Sequence, residues 1–416
     1  MNNIKKSIVI VGGGAAGIFA SIAAKASGAD VVILEKMNQI GVKLSITGGG
    51  RCNITHKVDD FKELIDYYPS GGRFLYSALS RFGPRETLDL FHDIGIKTKT
   101  DRGGRIFPEF ESAPELVRIL TEYLQKLGVK IVLSRKVEDV VKDEDFFTVK
   151  TDKGEYKADK VILTTGALSY PRTGSTGDGF KIAEKLGHPV TTLLPSLVPL
   201  EVKESWVKDL QGLTLKNVEA YIFADDKKVS EKFGDLIFTH FGISGPIILY
   251  LSRQIVKLMH GGKKIKIVIN LKPALSYDKL DARLQRDFVK SSKKQFKNML
   301  AGLLPGKMIA LFTRLLDVNP DLICSQITAE QRKKLMELLT GLEFNIEKDM
   351  GFYYAEVTQG GVDLSGVNPK TMESRIISGL YFAGEILDID GYIGGYNLQA
   401  AFSTGFIAGE NAASFS

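Results

Sequence analysis

Residues 7–35, SIVIVGGGAAGIFASIAAKASGADVVILE, decide the fold. The run Ser7–Val11 is short, apolar and β-branched, which predicts a buried parallel strand. Residues 15–27 are rich in alanine and isoleucine, as expected of a helix that packs closely on a sheet. A second apolar run, Asp30–Leu34, predicts another strand and ends directly before Glu35. The stretch therefore predicts a strand–helix–strand unit with parallel strands.

The glycine turn between the first strand and the helix fits G-x-G-x-x-G. Gly12 permits the tight turn, Gly14 lets the backbone approach a pyrophosphate, and Gly17 lets the helix lie close to the strand. The helix N-terminus offers unpaired N–H groups and a positive dipole end to the phosphates. Glu35 follows the turn by about twenty residues, where a carboxylate accepts ribose hydroxyls, which favours FAD or NAD over NADP. The predicted dinucleotide contacts here are Gly12, Gly14, Ala15, Ala16, Gly17 and Glu35.

Length and composition describe an ordinary globular protein. A chain of 416 residues is long enough for a large core and for more than one domain. The net charge of +6 permits contact with anionic ligands without requiring it. The sequence shows no secretory signal and no run of the ~20 apolar residues that a membrane span needs. We therefore expect a cytoplasmic protein without a membrane span.

The cysteines and histidines give no sign of a redox dithiol or a metal centre. Cys52 and Cys324 are far apart, and no C-x-x-C is present, which argues against a disulfide-reductase mechanism. Both are expected to be reduced thiols. The five histidines form no cluster with cysteine at ligand spacing, so no metal site is expected.

A second glycine-rich segment, GVKLSITGGGRCNIT, occupies residues 41–55. Glycines let backbone N–H groups face a planar or anionic ligand at short range. Lys43 and Arg51 would place positive charge near the N1/O2 edge of a flavin and stabilise its anionic reduced ring. The alternative is a surface loop with scattered cations. The cofactor contacts predicted in and before this segment are Lys36, Lys43, Ser45, Gly48, Gly49, Gly50, Arg51, Cys52 and Asn53.

This segment resembles the G-x-K-x-x-x-S-G-G-G-R-C-N-x-T-N signature of the HI0933-like (BaiN/YhiN-type) flavoproteins. That family contains NAD(P)/FAD-dependent oxidoreductases, and some members are described as aminoacetone oxidases. Two positions depart from the signature. Thr47 stands where Ser is usual and keeps the hydroxyl. His56 stands where Asn often closes the motif, which leaves the role of that side chain open.

Two further segments resemble elements of the same family. Residues 101–108, DRGGRIFP, resemble its G-G-R-x-F-P element, which implies a place near the flavin or the substrate entrance. A turn with solvated charges is an equal alternative. Residues 238–246, FTHFGISGP, resemble its F-T-H-x-G-(L/I)-S-G-P element. Within it, His240 is a candidate acid/base or substrate contact, and the alternative is a hydrogen-bonded histidine that fixes a turn.

Elements later in the chain resemble the flavin-contacting parts of two-domain FAD folds. The T-T-G at 164–166 resembles their A-T-G element, and LYFAGE at 380–385 resembles their Y-x-x-G-(D/E) element, whose acid binds the ribityl chain or the pyrophosphate side. Residues 391–402 open a final helix, whose N-terminus can point at the flavin O2. The contacts implied by this resemblance are Val137, Thr165, Gly166, Gly384, Glu385, Asn397, Leu398 and Ala400.

The sequence as a whole predicts an α/β fold, with a Rossmann-like FAD-binding domain interrupted by a β-rich plus helical insertion. Residues 1–190 and 345–416 are predicted to form the FAD-binding domain. Residues 191–274 are predicted to form a β-rich insert of short strands and turns, and 275–344 a helical insert. FAD is favoured over NAD because the glycine loop after Glu35 and the returning C-terminal segments have no role in a simple nicotinamide domain.

The predicted activity is that of an FAD-dependent oxidoreductase, with hydride transfer between flavin N5 and a small organic substrate. No second G-x-G-x-x-G marks a nicotinamide domain, so NAD(P)H would be a transient reductant at the flavin face, and an oxidase using oxygen stays open. Two alternatives are a flavoprotein that acts on RNA or another macromolecule through the basic helical insert, and a non-enzymatic flavin-binding protein. Aromatic residues are sparse between the cations of that insert, which gives little support to a nucleic-acid partner. The sequence leaves the substrate and the oligomeric state undetermined.

Overall fold

The computed structural model describes residues 5–58 and 60–414. These residues form two compact units. Unit 2 is Leu197–Gly351, and unit 1 comprises the described residues up to Ser196 and from Phe352 onward. The first four and last two residues of the predicted FAD-binding domain lie outside the described part of the chain.

Strands and α-helices both occur in the N-terminal, central and C-terminal parts of the described chain. The strands are β1 (Ser7–Val11), β2 (Asp30–Leu34), β3 (Thr55–His56), β4 (Thr98–Thr100), β5 (Arg105–Pro108), β6 (Lys130–Val132), β7 (Val137–Lys142), β8 (Phe147–Thr151), β9 (Gly154–Ala158), β10 (Lys160–Leu163), β11 (Leu194–Ser196), β12 (Leu200–Val202), β13 (Thr214–Ala224), β14 (Lys227–Phe238), β15 (Gly242–Ser244), β16 (Ile265–Asn270), β17 (Leu342–Asp349), β18 (Val357–Gln359) and β19 (Leu380–Phe382). The α-helices are α1 (Ala15–Ala26), α2 (Lys62–Ile65), α3 (Gly72–Arg81), α4 (Pro84–Asp93), α5 (Ala113–Lys126), α6 (Asp178–Lys185), α7 (Pro246–His260), α8 (Tyr277–Lys290), α9 (Phe296–Leu300), α10 (Gly306–Leu316), α11 (Ala329–Thr340) and α12 (Tyr396–Ala413).

A five-stranded parallel sheet is the centre of unit 1, with strand order β19-β10-β1-β2-β6. The apolar residues of β1 and β2 are almost entirely buried, as the continuous hydrophobic runs predict for parallel strands covered on both faces. The bounds of β1 and β2 are those that the sequence predicts. This sheet confirms the predicted α/β class with a Rossmann-type core.

Helix α12 packs directly against α1 beside the sheet. Gly405 and Gly409 of α12 face the backbone of α1, where an added Cβ would lie 2.3 Å from the carbonyl oxygen of Ala16 and 2.0 Å from that of Ala20. The two helices therefore approach closely because small residues line both surfaces. This contact joins the N-terminal turn to the last helix described in the chain.

Smaller antiparallel sheets complete unit 1. β7, β8 and β9 form an antiparallel meander, and β3, β5 and β4 form another sheet. Residues 61–95 contain the helices α2, α3 and α4, with non-helical residues 66–71 between α2 and α3 and a break at Gly83 before α4. The hydroxyl of Ser112 accepts a hydrogen bond from the backbone N–H of Glu115 at 3.3 Å and caps α5, as its sequence predicts.

Unit 2 is built around a closed antiparallel barrel with the order β12-β15-β14-β13-β16-β17. Barrel residues such as Ile267 and Phe344 share one hydrophobic core with helical residues such as Phe296 and Leu335. The segments predicted as a β-rich insert and a helical insert therefore pack around a common core. Helix α7 lies inside the segment predicted as strands and turns, although Pro246 at its first position is a typical helix start.

Candidate flavin site

The N-terminal glycine turn leaves open space in front of α1. An added Cβ at Gly12, which has φ of 102°, would lie 2.7 Å from the carbonyl oxygen of Thr164, and one at Gly17 would lie 2.1 Å from that of Gly12. These two glycines are required by the fold itself. A Cβ at Gly14 would meet no atom within 4 Å, and its φ of −78° suits any residue.

The start of α1 has the properties of an anion site. No side chain caps the helix, and its first turn contains no acidic residue. The N–H groups at this end and the dipole of the helix favour a negatively charged group. The space beside Gly14 and the uncapped turn at Ala15 and Ala16 therefore fit a pyrophosphate.

Glu35 is fixed beside this turn by two backbone hydrogen bonds. Its carboxylate accepts from the N–H of Gly13 at 2.7 Å and from the N–H of Met37 at 2.8 Å. A carboxylate has about four acceptor positions, so both oxygens retain capacity for ribose hydroxyls. The neighbouring Lys36 ammonium binds Asp178 at 2.7 Å, which neutralises its charge.

The second glycine loop presents bare backbone. Gly48, Gly49 and Gly50 have φ of 58°, 67° and 84°, in the left-handed region that favours glycine. A Cβ at Gly48 would lie 2.7 Å from the backbone nitrogen of Asn53, whereas Gly49 and Gly50 face no atom within 4 Å. The Gly49–Gly50 backbone is thus open to a flat ligand, while Gly48 is needed to close the loop.

The two cations of this loop have different partners. Arg51 donates to Asp101 at 3.1 Å and to Glu111 at 3.0 Å, and its guanidinium lies 4.2 Å from the ring centre of Phe107. The hydrogen bonds to Glu111 and Asp101 raise the pKa of Arg51. In the described chain Arg51 therefore fastens the loop to neighbouring acids.

Lys43 instead joins the predicted acid from the opposite end of the chain. Its ammonium donates to Glu385 at 2.7 Å and to Ser169 at 2.6 Å, and the Ser169 hydroxyl donates to the other Glu385 oxygen at 2.9 Å. The N–H of Thr358 also donates to Glu385, at 3.1 Å. Two of the sequence-predicted residues, Lys43 and Glu385, are thus brought together in one network.

Sequence reasoning missed Ser169 and Thr358. The Thr358 hydroxyl accepts from the N–H groups of Leu168 and Ser169 at 3.2 and 3.1 Å, so it aligns the segment that carries Ser169. In the sequence, Ser169 precedes a T-G-D-G turn and Thr358 precedes Gly360-Gly361. Nearby glycines are the only local feature of the sequence that could have pointed to Ser169 and Thr358.

Glu356, just before β18, is a third residue that the sequence does not single out. Desolvation raises the pKa of its carboxyl, and the charge of Lys43 opposes the rise. The pKa of the nearby Tyr170 hydroxyl is raised by desolvation and by the charge of Glu356. Lys43, Glu356 and Tyr170 therefore lie within electrostatic reach of one another.

Cys52 and Asn53 support the loop from inside. Cys52 is fully buried with φ of 59°, and burial raises the pKa of its thiol to about 12. With its amide nitrogen turned toward the carbonyls, Asn53 donates to Thr55 and Ile106 at 3.1 Å and accepts from the N–H of Gly395 at 3.0 Å. These contacts tie the second glycine loop to the start of α12.

The segment before α12 forms a closed turn. Asn397 accepts from the N–H of Gly391 and donates to its carbonyl oxygen, both at 2.8 Å. His56 lies 3.2 Å from the carbonyl oxygen of Gly394 and stacks on Tyr396 at 5.0 Å between ring centres. His56, the departure from the family signature, thus packs against this turn.

The other predicted contacts occupy separate parts of unit 1. Val137 begins β7 and is buried, Gly166 has φ of 68°, and a Cβ at Gly384 would lie 2.7 Å from that of Ala16. Thr165 and Leu398 are half-buried, and Ala400 is buried. Ser45 donates to the carbonyl oxygen of Val42 and lines an open groove next to α5.

His240 lies in unit 2 on an exposed turn. Its ring packs edge-on against Phe241 with 4.9 Å between ring centres. The turn is closed by Thr239, whose hydroxyl accepts from the N–H of Gly242 at 3.0 Å. The catalytic role of His240 remains a hypothesis from the sequence.

A model of the HI0933-like protein Rossmann domain matches residues 6–411. The chain belongs to the HI0933-like family. The resemblance found in its motifs is thereby confirmed. This HI0933-like protein is 34% identical over 408 residues to the 3-dehydro-bile acid delta(4,6)-reductase of Clostridium scindens, with 98% of each chain covered. It is 32% identical over 403 residues to the ribosomal RNA dihydrouridine synthase of Escherichia coli, with 97% of each covered.

Solved structures with the same fold include two steroid enzymes. The 3-ketosteroid delta1-dehydrogenase of Sterolibacterium denitrificans aligns with a TM-score of 0.53 at 11% identity, covering 98% of this chain and 99% of that one. The 3-ketosteroid-delta4-(5alpha)-dehydrogenase of Rhodococcus jostii aligns with a TM-score of 0.50 at 16% identity, covering 99% and 98%. At such identities the likeness concerns the fold alone.

Family membership and the site agree on the class of protein. This HI0933-like protein is an FAD-dependent oxidoreductase. None of the helices among the described residues has the length and apolar character to cross a bilayer. The same residues contain no group of His, Cys, Asp and Glu suited to a metal ion.

Proposed function

We propose that the protein reduces a carbon–carbon double bond conjugated with a carbonyl group. The proposal rests on the reactions that the names of two relatives describe. The names of both relatives describe such a bond: a delta(4,6) system next to a 3-oxo group, and the 5,6 bond of uracil next to its 4-carbonyl. A shared site that serves both substrates would act on the feature they have in common.

The chain's own residues would position the cofactor for this reaction. The uncapped turn of α1 beside Gly14 would bind the pyrophosphate, and Glu35 would accept the ribose hydroxyls. Lys43, held by Glu385 and Ser169, would fix the part of the cofactor nearest the second glycine loop. Bound FAD, once reduced, would supply a hydride to the substrate. The contacts to Val137, Thr165, Gly166, Arg51 and Asn397 stay predictions.

We propose NAD(P)H as the source of the electrons. The chain contains no second G-x-G-x-x-G, so the nicotinamide would dock transiently at the flavin face rather than in a domain of its own. Anaerobic mixing of the protein with NADH or NADPH should bleach the flavin absorbance. If only oxygen exchanges electrons with the flavin, the protein is an oxidase instead.

The test of the main proposal uses the reduced protein without oxygen. The flavin is reduced with dithionite and mixed with 2-cyclohexen-1-one or 1,4-androstadiene-3,17-dione. We expect flavin reoxidation and a product that is two hydrogen atoms heavier. Cyclohexene, which lacks the carbonyl, should leave the flavin reduced. The proposal fails if neither these ketones nor ribosomal RNA reoxidises the flavin.

A second candidate is that the reduced bond belongs to a uracil in ribosomal RNA. Another relative, from Haemophilus influenzae, is also named a ribosomal RNA dihydrouridine synthase and is 31% identical over 404 residues. In unit 2, Lys290, Lys293 and Lys294 are exposed and pair with no acidic residue in the described part of the chain, whereas Lys297 binds Asp321 at 2.5 Å. These exposed ammonium groups are suited to phosphates.

An assay on ribosomal RNA that lacks dihydrouridine distinguishes a small-molecule substrate from a uracil in RNA. Incubation with the protein and NADPH should produce dihydrouridine, measured by mass spectrometry of the nucleosides. Reversing the charge at Lys290, Lys293 and Lys294 should weaken RNA binding about tenfold or more, with a smaller dependence on salt. The same variant should reduce 2-cyclohexen-1-one at the unchanged rate. Absence of dihydrouridine together with turnover of the ketone would leave the small-molecule function.

A further inference from the structure

A buried glutamine links the last helix to the end of the second glycine loop. Gln399 lies in the first turn of α12 and is fully shielded from solvent. Its amide oxygen accepts a hydrogen bond from the hydroxyl of Thr55 at 2.6 Å. Its amide nitrogen donates to the hydroxyls of Thr87 and Ser403, both at 2.9 Å. The amide therefore joins α12 to two segments that are far away along the chain.

The neighbours of Gln399 fix the orientation of its amide. The Ser403 hydroxyl donates to the carbonyl oxygen of Phe82 at 2.5 Å, and a carbonyl oxygen can only accept. The Ser403 oxygen therefore accepts from the amide nitrogen of Gln399, which leaves the amide oxygen facing Thr55. Because both N–H groups and the oxygen of this amide have partners, the buried network specifies one arrangement of the segments it joins.

The start of α12 lies directly on the end of the second glycine loop. An added Cβ at Gly395 would lie 2.8 Å from backbone atoms of Thr55. The side-chain oxygen of Asn53 accepts from the N–H of Gly395 at 3.0 Å. The hydrogen bond from Thr55 to Gln399 joins two side chains that are both fully buried. Water therefore cannot replace this bond without entering the core.

The remaining contacts of the two segments leave their relative position to this hydrogen bond. Strand β3, which contains Thr55, is two residues long and pairs with β5 at the edge of its sheet. The later part of α12 is held against α1 by Gly405 and Gly409, at a distance from the first turn. Gln399 thus fixes the first turn of α12 relative to Thr55, where few backbone contacts do so.

We infer that Gln399 is a positioning residue for FAD, which acts through Thr55 on the second glycine loop. This role depends on the cofactor site of the proposed function, but not on the reduction of a double bond. The segments predicted to face the flavin, Gly48–Gly50 and the start of α12, are held at one spacing before FAD binds. A site that is ordered in advance binds more tightly, because less ordering remains to be done in the complex.

Two buried threonines provide a matched pair of variants. Thr55 and Thr87 are both fully buried, and both bind the Gln399 amide, but only Thr55 belongs to the glycine loop segment. Valine has nearly the same shape as threonine and lacks the hydroxyl. Thr55→Val and Thr87→Val should lower the urea midpoint of unfolding by similar amounts, because each leaves one buried amide group of Gln399 without a partner.

The affinity for FAD should distinguish these two variants. Thr55→Val should bind FAD about tenfold or more weakly than the wild type, because the loop loses its fixed spacing to α12. Thr87→Val should retain the wild-type affinity. Fluorescence titration of the FAD-free proteins is the measurement, and it requires neither a substrate nor turnover.

The flavin itself gives a second readout in Gln399→Met, which keeps the side-chain length and removes all three hydrogen bonds. Each FAD-saturated protein is equilibrated with a reference dye without oxygen. The ratio of reduced to oxidised flavin in Gln399→Met should fall about threefold or more, because the positive end of α12 is no longer held in place. Thr55→Val should shift in the same direction, and Thr87→Val should match the wild type.

The outcomes separate positioning from stability. Wild-type FAD affinity and flavin potential in both Thr55→Val and Gln399→Met would show that Gln399 serves only the stability of the fold. An equal loss of FAD affinity in Thr87→Val would also contradict the inference, since a general loosening of α12 would explain it. Wild-type protein that takes up no FAD would overturn the cofactor site and this role together. A protein that reduces no ketone, yet shows the predicted difference in FAD affinity, would overturn the proposed reaction and support the role of Gln399.

Discussion

The three glycines of the N-terminal turn, Gly12, Gly14 and Gly17, meet different physical needs. Gly12 and Gly17 are required because a Cβ would collide with Thr164 or with Gly12 itself. Gly14 meets no such obstacle, so its lack of a side chain serves something other than the fold. The motif predicts all three roles from the sequence, because each role depends on local backbone geometry.

Replacing Gly14 therefore separates binding from stability. Gly14→Ala needs no change of backbone and should alter the free energy of unfolding of the FAD-free protein by less than about 0.5 kcal/mol. It should weaken FAD binding about tenfold or more, because the methyl group occupies the pyrophosphate position. Gly12→Ala, the control, should lose about 1–3 kcal/mol of stability from its strained φ. Flavin fluorescence titration and urea denaturation measure the two effects, and unchanged FAD affinity in Gly14→Ala would contradict the assignment.

The buried thiol of Cys52 gives a second prediction at this scale. Its pKa of about 12 lies above the ordinary value of 9.0, so the thiol stays protonated at pH 8 and is also inaccessible. Iodoacetamide at pH 8 should leave Cys52 of the folded protein unmodified and should alkylate it in urea. In the unfolded chain the thiol ionises at lower pH, so stability should fall as pH rises above about 9. Rapid labelling of Cys52 in the folded protein would show that the loop opens.

At the scale of elements, the sequence does not predict the contacts between segments that are distant along the chain. It predicts α1 and the final helix separately, but their packing depends on Gly405 and Gly409 meeting Ala16 and Ala20. It likewise names Lys43 and Glu385 without predicting that Ser169 and Thr358 complete their network. The sequence does not predict helix α7, because its apolar residues lie within a segment rich in short strands.

The α1–α12 contact predicts that Gly409→Ala destabilises unit 1. Alanine favours a helix by roughly 1 kcal/mol over glycine. The added methyl would nevertheless meet the Ala20 carbonyl oxygen, and overpacking of this kind costs about 1–3 kcal/mol. Gly306→Ala at the start of α10 meets no atom and should be neutral or stabilise by about 0.4–1 kcal/mol. The measurement is the thermal unfolding of both variants and of the wild type. A Gly409→Ala variant more stable than the wild type would contradict the close packing of α1 and α12.

At the scale of the whole molecule, the sequence predicts the class and the interruption of the Rossmann-type unit. The boundaries of an insertion are harder to predict, because they depend on which strands share a barrel. β12 and β17 come from the two ends of unit 2 and pair in an antiparallel manner. The N–H of Met350 also donates to the carbonyl oxygen of Pro199 at 3.2 Å, so the ends of this unit meet.

Because unit 2 contains a closed barrel and its own hydrophobic core, we predict that residues 197–351 fold when expressed alone. The fragment should unfold cooperatively in urea and should not bind FAD, because the glycine loops belong to unit 1. A fragment of residues 275–344 should remain unfolded, since Phe296, Phe312 and Leu335 pack in the core shared with the barrel. Circular dichroism of both fragments is the measurement, and a folded 275–344 fragment would show that the helices form an independent domain.

The most direct test is the flavin content of the purified protein. The protein is denatured by heat, and the released cofactor is identified and quantified against the chain concentration. We predict FAD rather than FMN, approaching one molecule per chain, and a lower FAD content in Gly14→Ala. Wild-type protein that is colourless and takes up no added FAD would contradict this prediction.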